Sequence, residues 1–159
     1  MRVLITGADG FLGRYVIAGL PDHEVICASR RPMENVEWRA LGDLGGDVDW
    51  RALLRDVDTV VHLANIAHQQ ASEEDFERVN HRQTAALCAA AKAASMRQLV
   101  YVSSIYAQSG HTAPRTITEA DAPHPVSAYG RSKLAAEQAV AASGVPFTIL
   151  RPVLVVGKG

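Results

Sequence analysis

The residues best suited to chemistry fall in three places. Thr6-Gly7-Ala8-Asp9-Gly10-Phe11-Leu12-Gly13 spaces its glycines as G-x-x-G-x-x-G. Tyr129 and Lys133 stand four apart in Tyr129-Gly130-Arg131-Ser132-Lys133. On a helix that spacing puts a phenol and an ammonium on one face. Ser103 and Ser104 close an apolar run that begins at Gln98. Glycines in a tight strand-to-helix turn let a pyrophosphate approach the main chain, and the helix N-terminus then offers it unpaired N–H groups. An isolated tyrosine titrates near pH ~10, but a neighbouring ammonium favours the phenolate. Tyr129 beside Lys133 is thus placed to move a proton to or from a substrate oxygen. A serine at a strand end can donate a hydrogen bond to the same oxygen, and equally can be an ordinary turn residue.

The flanking elements decide how much these patterns mean. Arg2–Thr6 reads as a buried strand, and residues 10–20 as a helix with Phe11, Leu12, Tyr15, Val16 and Leu20 at helical spacing. Further strands are expected at 24–28, 36–40, 58–63, 98–103 and 146–151. Asp49 can cap a short helix over 50–54. Ser72-Glu73-Glu74-Asp75 resembles a capping box and opens one long helix, with Phe76, Val79, Leu87, Cys88 and Ala91 on one face. Residues 110–125 hold three prolines and read as an irregular loop, and a last helix is expected over 128–143. Strands alternate with helices and are continuously apolar, as in a parallel sheet covered on both faces. The expected fold is a doubly wound, three-layer α/β sandwich with a mostly parallel, six-stranded sheet. It forms one domain over 1–159 with no internal boundary.

The glycine triplet therefore sits in the first βα turn of a βαβ pattern, the context that marks a dinucleotide site. Gly13 is followed by Arg14-Tyr15, not by Lys-Ser/Thr, which excludes a P-loop. The end of the second strand selects the cofactor: an acid holds the ribose hydroxyls of NAD, and an arginine suits the 2′-phosphate of NADP. Here the residues are Ser29-Arg30-Arg31, which favours NADP over NAD. Asn80 falls on the buried stripe of the long helix, either as a core amide or as part of a proton relay.

Composition closes off other classes. The chain has 159 residues, 48% hydrophobic and 21% charged, with a formal net charge of -1. That suits one globular domain, with no bias toward nucleic acid or an anionic membrane. Cys27 and Cys88 read as small buried hydrophobes in a reducing compartment. The N-terminus runs straight into the first strand with no leader or spanning segment, so a cytoplasmic protein is expected. Histidines at 23, 62, 68, 81, 111 and 124 lack metal-ligand spacing, so no metal is expected. No G-x-S-x-G elbow supports a serine hydrolase.

Jointly these motifs resemble the extended short-chain dehydrogenase/reductase superfamily, in its NAD-dependent epimerase/dehydratase group. The glycine loop resembles that family's nucleotide fingerprint. Asp43-Leu44 resembles its adenine-contacting pair, His62-Leu63-Ala64 its fourth-strand motif with Asn65 in place of a small residue, and Val79-Asn80 with Thr84 its helix motif. Tyr129-x-x-x-Lys133 and Arg151-Pro152 match as well. The resemblance implies a Rossmann-type fold that binds NADP or NAD through Gly7, Gly10, Phe11, Leu12, Gly13, Ser29, Arg30, Asp43, Leu44, Leu63 and Ala64. It implies Tyr129 as general acid/base, Lys133 holding the nicotinamide ribose and lowering the tyrosine pKa, and Ser104 (or Ser103) on the reacting oxygen. Asn80 would support the lysine through water.

Ile105-Tyr106 stands where dehydratases of the family carry Asp-Glu, which argues against elimination. The expected chemistry is hydride transfer at a carbinol or carbonyl carbon, as a nucleotide-sugar epimerase or an NADPH-dependent carbonyl reductase. A non-catalytic dinucleotide sensor is the alternative. Relatives continue past the Arg-Pro motif into a substrate-binding region that this chain lacks, so the chain is expected to fall short of full turnover alone. Long helices of this kind pair into homodimers in relatives.

Overall fold

Four short apolar strands in this chain are largely buried, and two more exposed strands edge them. In the computed structural model, which describes residues 1–67, 71–110, 112–113 and 115–158, they are β1 (Arg2–Thr6), β2 (Glu24–Ser29), β3 (Glu37–Ala40), β4 (Thr59–His62), β5 (Gln98–Val102) and β6 (Phe147–Leu150). They form one sheet in the order β3-β2-β1-β4-β5-β6, with every neighbouring pair parallel. The expected doubly wound α/β sandwich is therefore the observed fold, with a wholly parallel sheet. The order reverses beside β1, since β2 lies on one side of it and β4 on the other. A crevice opens at such a switch point, outside the carboxyl ends of the strands.

The two faces of the sheet build two cores. Side chains alternate along a strand, so Val3 and Ile5 pack with Ala8 and Cys27 under Val16 and Ile17 of α1 (Phe11–Ala18). Leu4, Ile26, Val60 and Leu99 face the other way. They pack with Leu87 and Ala91 of α4 (Gln83–Ala93) and Ala136 and Val140 of α5 (Ala128–Ala142). Both cysteines are buried and free. α2 (Trp50–Leu53) is capped by the Asp49 side chain, which accepts from Ala52 N. No helix among the described residues is long and apolar enough to cross a membrane.

Three local expectations need correction. The long helix from Ser72 is not uniform. It runs as α3 (Glu73–Phe76), a π-helical stretch over Glu77–Arg82, then α4. Its capping box is present, with Ser72 Oγ accepting from Asp75 N and Asp75 reaching back to Ser72 N. Its five apolar stripe residues are all buried. Such π turns are rare in helices and frequent at functional sites, and this one contains Asn80. A 3₁₀ turn over Ile105–Ala107, capped by Ser104, follows β5 where no element was expected. β6 is an edge strand rather than a buried one, with Phe147 and Leu150 nearly half exposed.

Candidate active site

Gly7 follows β1 with φ +68, a conformation that favours glycine. A Cβ at this position would meet the main chain of Ala64, only 3.0 Å from its nitrogen, at the end of β4. That close approach brings the glycine loop and the β4 end together across the switch point. They line a cavity of about 300 Å³ with Asp9, Gly10, Ser29, Arg30, Leu41, Asp43, Leu44, Leu63, Asn65, Ile66 and Val79. Eight of the residues expected from sequence (Gly7, Gly10, Ser29, Arg30, Asp43, Leu44, Leu63 and Ala64) thus share one crevice.

Phe11, Leu12 and Gly13 do not line it. Gly13 instead lets α1 pack against the loop, since a Cβ there would stand 2.4 Å from the Ala8 carbonyl oxygen. Phe11 turns to Tyr15, their rings 5.5 Å apart. The Ser29 hydroxyl is committed elsewhere. It donates to the Arg31 carbonyl at 2.6 Å and accepts from Trp38 Nε1 at 3.0 Å. At the end of β2 this leaves the exposed Arg30 as the group able to meet a phosphate in the crevice. Asn65 and Ile66 were missed as lining residues. Their signal was their place just beyond the carboxyl end of β4.

Under the crevice lies a buried polar ladder. Thr6 Oγ1 accepts the N–H groups of Leu63 and Ala64, each at 3.2 Å, and lies 2.7 Å from His62 Nδ1. On the other side of the ring, Thr84 Oγ1 lies 3.2 Å from Nε2 and donates to the Asn80 carbonyl at 2.7 Å. The directions then close in one way: Thr6 donates to Nδ1, and Nε2–H donates to Thr84. His62 is neutral in this arrangement, and burial, helped by the Lys133 charge, pushes its pKa down to about 3. Asn80 is buried. It closes a two-way bond with the main chain of Ile66 and donates to Ser132 Oγ at 3.2 Å. It thus reaches the residue before Lys133 rather than Lys133 itself.

α5 carries the expected tyrosine–lysine pair. Tyr129 is partly buried, its ring edge-on to Phe76 at 5.8 Å and to Tyr106 at 6.2 Å. Its phenol lies near Ser104, whose hydroxyl favours the phenolate, while the Ser103 hydroxyl is buried without a hydrogen-bond partner. Lys133 is engaged at the end of β5. Its Nζ donates to the Val102 carbonyl at 2.8 Å and stands 4.4 Å from the Tyr101 ring centre. This corrects the expectation that Lys133 lowers the tyrosine pKa. Burial pushes Tyr129 up, the Ser104 hydrogen bond opposes that, and the nearby Tyr106 adds to it. Lys133 is itself only 1% exposed, and burial brings it down to about 7 against the opposing pull of Glu137.

Gly130 is a positioning residue that sequence reasoning passed over. A Cβ there would fall 2.3 Å from the Tyr106 carbonyl oxygen. This glycine lets α5 approach the 3₁₀ turn closely enough for Tyr129 to meet Ser104. Gly130→Ala is expected to destabilise the fold by about 1–3 kcal/mol, as overpacking does, read by urea unfolding. It should also release the Tyr129 phenol toward its ordinary titration in ultraviolet difference spectra. An unchanged stability would contradict the close approach.

Among the described residues no group of three or more His, Cys, Asp or Glu could hold a metal ion; His68 and His111 lie outside them.

Comparison with known proteins bears on the family and the fold. The profile of the NAD dependent epimerase/dehydratase family matches residues 3–159. The chain is 31% identical to a ceramide reductase of Caulobacter vibrioides over 99% of its own length and 47% of the relative. It resembles MoeE5 solved with UDP-glucose and NAD, at TM-score 0.80 and 28% identity over 94% of this chain and 52% of that one. It also resembles a UDP-N-acetylglucosamine 4-epimerase from Bacillus cereus, at TM-score 0.79 and 31% identity over 95% and 53%. The chain spans about half the length of the curated relatives it matches. It belongs to the NAD dependent epimerase/dehydratase family.

Proposed function

We propose that residues 1–159 form the dinucleotide-binding part of an NAD(P)-dependent oxidoreductase or epimerase, with Tyr129 as acid/base at a carbinol or carbonyl carbon. The observation that carries this is the crevice lined by Gly7, Gly10 and Arg30, with Tyr129 packed on the turn that Ser104 caps at the neighbouring strand end. The residues fit a dinucleotide. Gly7 lets the loop main chain pack closely against Ala64; the N–H groups of Gly7, Ala8 and Gly10 are bonded to the Ala28 and Gly7 carbonyls, so the first-turn N–H groups of α1 would take the pyrophosphate. Asp43 and Leu44 would hold the adenine end, and Arg30 a 2′-phosphate. The nicotinamide, when bound, supplies the hydride chemistry.

The chain's own residues handle the substrate oxygen. Ser104 would donate a hydrogen bond to it, and Tyr129 would donate or take its proton. Burial keeps the phenol protonated at neutral pH, which suits proton donation and hence the reductive direction. Lys133 would hold the ribose, and Asn80 would fix α5 through Ser132. A nucleotide sugar is the substrate class favoured by the solved neighbour that holds UDP-glucose. A carbonyl reductase is the second reading, favoured by Arg30 and by the relative named a ceramide reductase. Pairing of two copies through α4 and α5 belongs to the same proposal.

Calorimetric titration tests the cofactor assignment. NADPH is expected to bind more tightly than NADH. Arg30→Ala should weaken NADPH about tenfold, the worth of one charge-assisted hydrogen bond, and leave NADH unchanged. Equal affinities that ignore Arg30→Ala would overturn the NADP preference and move the weight to an NAD-retaining epimerase.

A further inference from the structure

The loop that carries Asp43 and Leu44 into the crevice is rich in glycine. Leu41-Gly42-Asp43-Leu44-Gly45-Gly46 holds three of them, and Gly42 sits at φ +72. Glycine gives a loop more conformational freedom than any other residue. Leu41 and Leu44 are buried in the core, which fixes one side of the loop. Gly45 N donates to Asp43 Oδ1 at 2.9 Å and Gly46 N to the Asp43 carbonyl at 3.0 Å. Those two bonds shape the turn but do not tie it to anything else.

The tie comes from the helical segment after Ser72. Arg78 Nη1 donates to the Gly45 carbonyl at 2.8 Å, and Gln83 Nε2 to the Gly46 carbonyl at 2.7 Å. Each donor is itself held. Arg78 Nη2 donates to Asp75 Oδ1 at 2.7 Å, and Gln83 Oε1 accepts from Nε1 of the buried Trp50 at 3.1 Å. Two successive carbonyls of a glycine pair are thus taken by two side chains five residues apart. On an α-helix that spacing puts side chains about 140° apart around the axis. Arg78, however, lies inside the π-helical stretch, and Gln83 directly follows it. A π turn bonds i to i+5, so it brings this pair onto one side of the segment. From the same turn Asn80 holds the main chain of Ile66, another lining residue of the crevice.

We infer that Arg78 and Gln83 are positioning residues for the adenine end of the cofactor: their donors hold the Gly45 and Gly46 carbonyls and so fix the loop that presents Asp43 and Leu44 to the crevice. This rests on the reading of the crevice as a dinucleotide site. The pair contributes little to global stability, because the Arg78 and Asp75 side chains are 46% and 40% exposed and an ion pair so placed is worth little.

Two measurements on the whole chain test this. Arg78→Met removes one donor. Gln83→Glu removes the other, while its carboxylate still accepts from Trp50. Amide exchange, read without ligand, is expected to quicken about five- to tenfold at Gly45 and Gly46 in either variant, the worth of one hydrogen bond. The urea midpoint should stay close to wild type. Adenosine 2′,5′-bisphosphate is the binding probe, since it carries the adenine end and the 2′-phosphate without the nicotinamide. Calorimetry at about 0.5 M salt, which screens the change in net charge, should show it bound about five- to tenfold more weakly by either variant. Arg78→Lys keeps a donor and should recover most of that loss. Unchanged exchange at Gly45 and Gly46 would overturn the inference, and so would unchanged affinity in both variants. A wild type that fails to bind the probe would overturn the dinucleotide reading and this inference with it, whereas binding that ignores both substitutions overturns the inference alone.

Discussion

Tyr129→Phe is expected to keep NADPH affinity and to lose about 10²–10⁴-fold of turnover, the usual worth of a positioned acid or base. Diacetyl is a suitable probe, since a small activated diketone makes no demand on a large substrate pocket. The substitution removes one oxygen and leaves the ring against Phe76 and Tyr106, where its packing lies. The loss should therefore appear in kcat and not in cofactor binding. The pH profile carries the same claim. Burial raises the Tyr129 pKa, so the proton-donating form persists through neutrality and reduction should fall only on the alkaline side. Oxidation of an alcohol by the same site needs the phenolate and should rise with pH. A variant that turns over diacetyl like wild type would remove Tyr129 from the chemistry and leave a dinucleotide sensor as the better description.

The second large effect is acid lability that originates at His62. The folded state holds this ring neutral down to about pH 3, against an ordinary value of 6.5. Unfolded chains bind the proton first, so the stabilisation is complete above about 6.5 and is lost as pH falls toward 3. One pH unit is worth about 1.4 kcal/mol, so roughly 2 kcal/mol of unfolding free energy should vanish between about pH 6.5 and 4.5. Protonation would also place a second donor against Thr6, which already donates to Nδ1. His62→Gln keeps one donor and one acceptor but cannot titrate. It should start less stable at neutrality and lose the slope in that window. Urea unfolding across pH reads both, and an identical slope in the variant would show that other groups cause it.

The fold was legible because its signals are local and repeated. Arg2–Thr6, the glycine turn and the β4 run each announce themselves, and the alternation of strands with helices leaves few alternatives. The crevice was legible for the same reason: Gly7, Gly10, Arg30, Asp43 and Ala64 sit at strand ends, where a doubly wound sheet must place its ligands. What sequence missed depends on orientation and on approach distance. The i, i+4 spacing of Tyr129 and Lys133 promised a shared face, but a side chain as long as lysine can turn to Tyr101 and Val102 instead. Ser29 is expected among the cofactor-binding residues, yet Trp38 and the Arg31 carbonyl occupy its hydroxyl. The importance of Gly130 lies in the Tyr106 carbonyl oxygen, only 2.3 Å from where a Cβ would stand, which no spacing rule contains. The π turn at Asn80 likewise has the composition of an ordinary helix.

An amide chemical-shift titration of the ¹⁵N-labelled chain with NADPH tests the central claim most directly. Saturable shifts are predicted at Gly7, Gly10, Arg30, Leu44 and Ala64, all around one crevice, with further shifts at Ser104 and Tyr129 where the nicotinamide end would lie. Absence of saturable binding, or shifts confined to other surfaces, would contradict the assignment of this crevice as a dinucleotide site.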